Sequence, residues 1–225
     1  MRKTTILVSA LLIMLNFSCA VKSSRLQTMV QEKINETKKS IVPNVNVEIK
    51  INKNIELANE CKQEKSSFIP ALLYWGWNSE IICEFSKTTI ENEINNIVKN
   101  KITNIGLDKS LENKKLLINI DELPTKFKYQ EKGDVIIFIF AYVMSQKRYF
   151  APELKEFKGN YKIINEENKI LVEKDFVKDI KLLPQSNNYK STKKLSWQYI
   201  DEYNNELDRF VTIILDEIKS NIEIK

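Results

Sequence analysis

Histidine is absent from the 225 residues, and glycine occurs only four times. Without imidazole, Ser-His and Cys-His nucleophile activation is excluded, and the commonest ligand of zinc and haem is missing. The few glycines form no phosphate-cradling loop. No apolar run is long either. The longest near the start, Ile6 to Leu15 with Ser9 inside it, falls well short of the roughly 20 residues that cross about 30 Å of hydrocarbon. Basic residues outnumber acidic ones by 35 to 30, yet they interleave and form no basic stripe of the kind a nucleic acid needs. The expectation is a protein with no cofactor, no metal site and no nucleic-acid partner.

What the start does have is a pattern. Arg2 and Lys3 precede the apolar run, and Asn16 ends it, which is the layout of an export signal over residues 1–18. The stretch Leu15-Asn16-Phe17-Ser18-Cys19 then resembles the lipobox of bacterial lipoproteins, with the small Ser18 just before the cysteine. Asn16 and Phe17 depart from its usual residues. The resemblance implies that Cys19 carries a diacylglycerol, that the signal is cut before it, and that the protein is held on a membrane by its N-terminal lipid. Ala20 stands where many Gram-negative inner-membrane lipoproteins carry Asp, so sorting leans to the outer membrane, facing the periplasm. An ordinary signal peptide or an uncleaved anchor is the competing account.

Removing the signal leaves about 207 residues with 33 basic against 30 acidic side chains. With 43% hydrophobic and 29% charged residues the chain is globular. If Cys19 is acylated, Cys61 and Cys83 remain as an even pair in an oxidising compartment. They form either a disulfide or two buried thiols.

Hydrophobic periodicity divides the chain into 19–43, a lipidated cysteine followed by a tether or a short helix, and 44–225, a single domain. In the first segment Leu26, Met29, Val30 and Ile34 recur at helical spacing before Pro43. Val45, Val47, Ile49 and Ile51 then alternate as a strand. A polar loop holding Cys61 is expected next, then an apolar stretch from Phe68 to Trp77 and a strand over Glu80 to Phe85. Ser86 caps an amphipathic helix through Ile90, Ile94, Val98 and Ile102 that stops near Gly106. Leu116, Ile118 and Ile120 alternate again. Val135 to Met144 is apolar on both faces and reads as a central strand covered on both sides. Residues 161–172 read as a hairpin with a polar turn, and a long helix begins near Ser196. Strands cluster instead of alternating with helices, so the fold class expected is α+β: a small mixed or antiparallel sheet packed by an internal amphipathic helix and a long C-terminal helix.

This element order, with the run Asn160 to Ile164 and Lys169 to Glu173, resembles the ABC-type transport auxiliary lipoproteins over about residues 45–222. The resemblance implies a non-catalytic envelope protein that assists a transporter or an assembly protein.

Two sets of residues are candidates for chemistry or contact. Tyr74, Trp75 and Trp77 combine large apolar bodies with polar handles and are suited to a partner or membrane contact; the bland alternative is that they fill the core. Asp121, Glu122, Glu131 and Asp134 cluster in sequence, and carboxylates roughly 5–9.5 Å apart support glycoside hydrolysis. A solvated, salt-bridged turn explains them as well. Lys147 and Arg148 are too few for a polybasic patch. The function expected is contact with an envelope protein, lipid or glycan. The alternatives are a His-free carboxylate hydrolase of envelope polysaccharide and a carrier with an apolar cavity beneath the aromatic segment. The sequence does not indicate an oligomeric state.

Overall fold

The computed structural model describes residues 20–36, 47–51, 60–138, 141–153, 156–179, 182–188 and 190–223. Residues 1–18, where the export signal is expected, lie outside the described residues, as do Cys19 and Pro43. The elements in chain order are α1 (Ser23–Glu36), β1 (Val47–Ile51), β2 (Glu60–Pro70), β3 (Tyr74–Glu84), α2 (Lys87–Asn104), the short α3 (Leu107–Ser110), β4 (Lys114–Glu122), β5 (Lys126–Ile137), β6 (Tyr142–Pro152), β7 (Glu156–Asn165), β8 (Ile170–Asp179), β9 (Gln185–Ser186) and α4 (Thr192–Glu223).

The fold is α+β, with the strands shared between two sheets. The four-stranded sheet has the order β1-β4-β7-β8 and the five-stranded sheet β2-β3-β5-β6-β9. Among the described residues, β1 and β4 pair in parallel and every other pair is antiparallel. The chain crosses between the sheets repeatedly, and the crossing from β4 to β5 runs through Leu123-Pro124-Thr125, all buried.

Local sequence explains the helices. The Ser86 hydroxyl accepts from the Thr89 amide at 3.2 Å and satisfies one orphan donor at the start of α2. Ile90, Ile94, Val98 and Ile102 are buried along one stripe. Isoleucine is a weak helix former, so burial of this stripe holds α2. Gly106, at φ 71°, makes the left-handed turn into α3. Leu26, Val30 and Ile34 of α1 are buried in the same core, so residues 23–36 form a docked helix and not a free tether. Each such side chain contributes roughly 1.5–3 kcal/mol against the entropy of ordering the segment.

α4 spans 32 residues, about 48 Å at 1.5 Å per residue, and so reaches both sheets. Near its start Tyr199 and Tyr203 join Phe85, Phe127 and Phe150 of the five-stranded side in a chain of tilted ring contacts. Further along, Phe210 stacks on Phe157 of the four-stranded sheet at 4.0 Å between centroids. One helix thereby seals a continuous core.

Two sequence expectations fail. The polar segment around Cys61 is strand and not loop, because β2 pairs along β3 from Glu60 to Pro70. Val135 to Met144 is not one covered central strand. β5 ends at Ile137 and β6 begins at Tyr142, and the Phe138 amide donates to the Ala141 carbonyl across the turn at 2.7 Å. The reason for the error is that no Gly, Pro, Asn or Asp marks this turn, while the alternation that would show one wet face is missing.

A candidate contact surface at the hairpin tips

β2–β3 and β5–β6 are neighbouring hairpins whose turns lie at the same end of the five-stranded sheet. Tyr74 of β3 stands opposite Ile136 of β5. The Ile137 amide donates to the Leu73 carbonyl at 2.8 Å, which carries the pairing into the first turn. The Ala71 amide closes that turn on the Tyr74 carbonyl at 2.8 Å.

Strand register assigns the side chains to faces. Ile69, Tyr74, Ile136 and Val143 share one face; Phe68, Trp75, Val135 and Met144 share the other. Leu72 and Tyr142 are 93% and 71% exposed, and Phe68, Ile69, Leu73, Tyr74, Ile136, Phe138, Val143 and Met144 are also exposed. Contiguous apolar patches are rare on water-facing surfaces in general, which makes this end of the sheet the candidate contact surface. It is apolar on both faces and at its end.

The aromatic candidates divide here. Tyr74 is exposed, Trp75 is half-buried, and Trp77 is only 5% exposed. Trp77 lies across Gly133, where an added Cβ would come within 2.2 Å of Cζ2 of the indole. Trp77 therefore packs the hairpins together beneath the tip. Sequence reasoning missed Ile69, Ile136, Phe138, Tyr142, Val143 and Met144 as contact residues. The signal was present as two-sided apolarity in a run without turn residues.

Below the tip the surface turns polar within one residue. Asp134 accepts from the Ser145 hydroxyl at 2.6 Å. Lys132 and Lys147 then face each other directly across β5 and β6, both exposed.

On the core-facing side at this level lies Glu131, 0% exposed. Its Oε2 accepts from the Tyr129 hydroxyl at 3.0 Å and from the Val21 amide at 2.9 Å. Its Oε1 accepts from Gln146 Nε2 and lies 3.6 Å from Arg148 Nε. Burial first, and the Glu131 charge second, push the Tyr129 phenol far above its ordinary value, so it stays a donor.

The four carboxylates do not converge. Glu131 and Asp134 stand opposite Ser79 and Gly76, so they project from opposite faces of β5. Asp121 and Glu122 end β4 in the other sheet, both exposed, and Glu122 is held by Lys158 at 3.2 Å. Glu131 is consumed by structural donors. No group of three or more His, Cys, Asp or Glu able to hold a metal occurs among the described residues.

Cys61 and Cys83 are joined in a disulfide between directly opposed residues of β2 and β3, with Cα atoms 4.1 Å apart. A cavity between α1, α2 and α4, lined by Ile34, Phe85, Glu93 and Tyr203, measures about 20 Å³, room for about one water. It lies at the opposite end of β3 from the tip. A more open cleft of about 280 Å³ by β9 and α4 is lined by Gln185, Lys190 and Glu202 and is polar.

No family model, no curated protein and no solved structure matches this chain. No helix among the described residues is long and apolar enough to cross a membrane.

Proposed function

We propose that this chain is a non-catalytic lipoprotein of the cell envelope, tethered through acyl chains on Cys19, that acts by contact through its paired hairpin tips. The observation that carries the contact role is the exposed two-sided apolar end of the five-stranded sheet, centred on Leu72 and Tyr142. Oxidised Cys61 and Cys83 support an extracytoplasmic location, where disulfides persist. Ala20 in place of Asp favours the outer membrane, with the domain in the periplasm. An auxiliary role beside an envelope transporter or assembly protein fits a chain whose buried carboxylate is spent on hydrogen bonds and not left free for chemistry.

Mass spectrometry of the membrane-extracted protein should find an acylated N-terminus at Cys19, and Cys19→Ala should abolish incorporation of labelled palmitate. A photocrosslinking residue at position 72 should capture an envelope component, and one at position 167 in the β7–β8 turn should not. An unmodified full-length N-terminus on a protein recovered in the cytosol would overturn the reading.

A further inference from the structure

We infer that the two hairpin tips enter one leaflet of the same bilayer that holds the N-terminal acyl chains, so that the domain docks tip-first on its own membrane. This rests on the contact role and specifies what is contacted: lipid, not protein.

The first argument is shape. Tyr74, Ile136 and Val143 lie on one face of the tip, and Trp75, Val135 and Met144 on the other. A protein partner with a flat surface covers one face of a sheet. A fluid apolar phase wets both faces and the end together, and so removes all of this surface from water.

The second argument is where the anchored end of the chain lies. The Val21 amide is fixed to Glu131, four residues down β5 from Val135. From there α1 runs away from the tip, since Ile34 lies beside Phe85 at the far end of β3. Cys19 is two residues before Val21, within about 8 Å along the chain at 3.8 Å per residue. Val135 is about 13 Å from Glu131 at strand rise. Glu131 lies midway along β5, so the acyl chains are tethered to the middle of the five-stranded sheet, a short reach from where the apolar tip begins.

Depth follows from length and from open edges. From Val135 to the turn the apolar ribbon extends roughly 10 Å, within one half of a hydrocarbon core about 30 Å thick and far short of the roughly 9–11 residues that span it. Among the described residues β2 is an edge strand, and β6 pairs with β9 only at Tyr149 and Phe150. Unpaired backbone edges are not tolerated deep in lipid, so insertion stops at the interface.

Lys132 and Lys147 mark that level. Like charges directly opposite repel, and neither makes an ion pair among the described residues. Two lysines do not make a polybasic patch, but a layer of lipid phosphates just beneath the tip supplies the anions that this pair lacks.

The full-length protein offers no free thiol once Cys19 is acylated and Cys61 is bridged to Cys83. Leu72→Cys, Phe138→Cys and, as a control, Glu167→Cys variants are therefore labelled with a polarity-sensitive dye. They are reconstituted in vesicles of phosphatidylethanolamine and phosphatidylglycerol at about 3:1, a composition chosen for an anionic bilayer. The dye at positions 72 and 138 should shift to the blue and be quenched several-fold more by nitroxide on lipid tails than by aqueous iodide. The dye at 167 should show the reverse. Vesicle-bound protein whose dye at 72 and 138 stays open to iodide overturns the inference and leaves the contact role standing. Dye that is wet on vesicles but shielded in native envelopes also overturns it and assigns the tip to a protein socket. Protein that does not float with the vesicles at all, with an unacylated N-terminus, overturns both.

Discussion

The backbone amide of Val21 donates a 2.9 Å hydrogen bond to Oε2 of Glu131, a residue 110 positions away in sequence. The same carboxylate holds the Tyr129 hydroxyl and, through Oε1, Gln146 and Arg148. Glu131 thus ties the first described turn of chain to the neck of the hairpins. Glu131→Ala removes the acceptor of several buried donors and leaves Arg148 uncompensated, which should cost about 3–5 kcal/mol. Urea unfolding gives the stability directly, and hydrogen exchange should show the Val21 amide opening well before α1 as a whole. A change under about 0.5 kcal/mol, typical of surface sites, would show that the latch does not exist.

Gly133 is the contact on which the tip is assembled. A Cβ there would meet Cζ2 and Cε2 of Trp77 at 2.2 and 2.6 Å and the Ser145 carbonyl oxygen at 2.8 Å. The last of these is backbone and cannot rotate aside. Gly133→Ala should therefore cost about 1–3 kcal/mol, the usual range for overpacking. Adding Trp77→Phe removes the indole part of the clash but not the carbonyl part. The double variant should recover some of the lost thermal midpoint and not all of it, a coupling a double-mutant cycle measures. Additive effects would mean that indole and backbone do not press on each other.

The bridge between Cys61 and Cys83, 22 residues apart, fastens an edge strand with a single neighbour. Reducing it, or replacing both cysteines by serine, should lower stability by roughly 3 kcal/mol on the chain-entropy model. The effect should be local in kind as well. Amide exchange should accelerate most over β2, whose side chains are nearly all exposed, and least over β4 and β7. Uniform acceleration across both sheets would instead assign the bridge a role in the whole core.

The helices are legible in the sequence because burial on one stripe leaves a 3.6-residue trace. Ile90 to Ile102 and Tyr203 to Ile218 show it plainly, and Ser86 and Gly106 bracket α2 with their own chemistry. The β7–β8 hairpin is legible for the same kind of reason: the Asn165 side chain accepts from the amides of Glu167 and Lys169 and stabilises the turn locally. The tips are not legible as tips. Periodicity encodes an inside and an outside, and a ribbon that is apolar on both faces gives the same signal as a central strand. Glu131 is likewise legible as a charged residue among lysines, but its partners Val21, Gln146 and Arg148 are brought in from α1's approach and from β6, which no spacing rule foretells. The division of strands between two sheets, which the chain crosses repeatedly, as at the buried Leu123 to Thr125, is again a matter of tertiary packing.

Glu93 provides a pH test of how α1 and α4 close over α2. It lines the small cavity beside Phe85 and Tyr203, and burial raises its carboxyl above the usual value of 4.5. A carboxylate with a raised folded-state pKa is less ionised in the folded chain than in the unfolded one. Stability therefore falls as pH rises through the interval between 4.5 and the raised value, and the full penalty persists above it. Glu93→Gln removes that penalty, so the variant should melt higher than the parent at pH 7. Below 4.5 the carboxyl is protonated in both states, and the difference should vanish. Thermal melts of both proteins at pH 7 and near pH 3, in the same buffer strength, measure the two ends of the titration. A lower midpoint for the variant at pH 7, or a gain that survives at low pH, would mean that the carboxylate makes a favourable contact in the closed core and that desolvation is not what moves it.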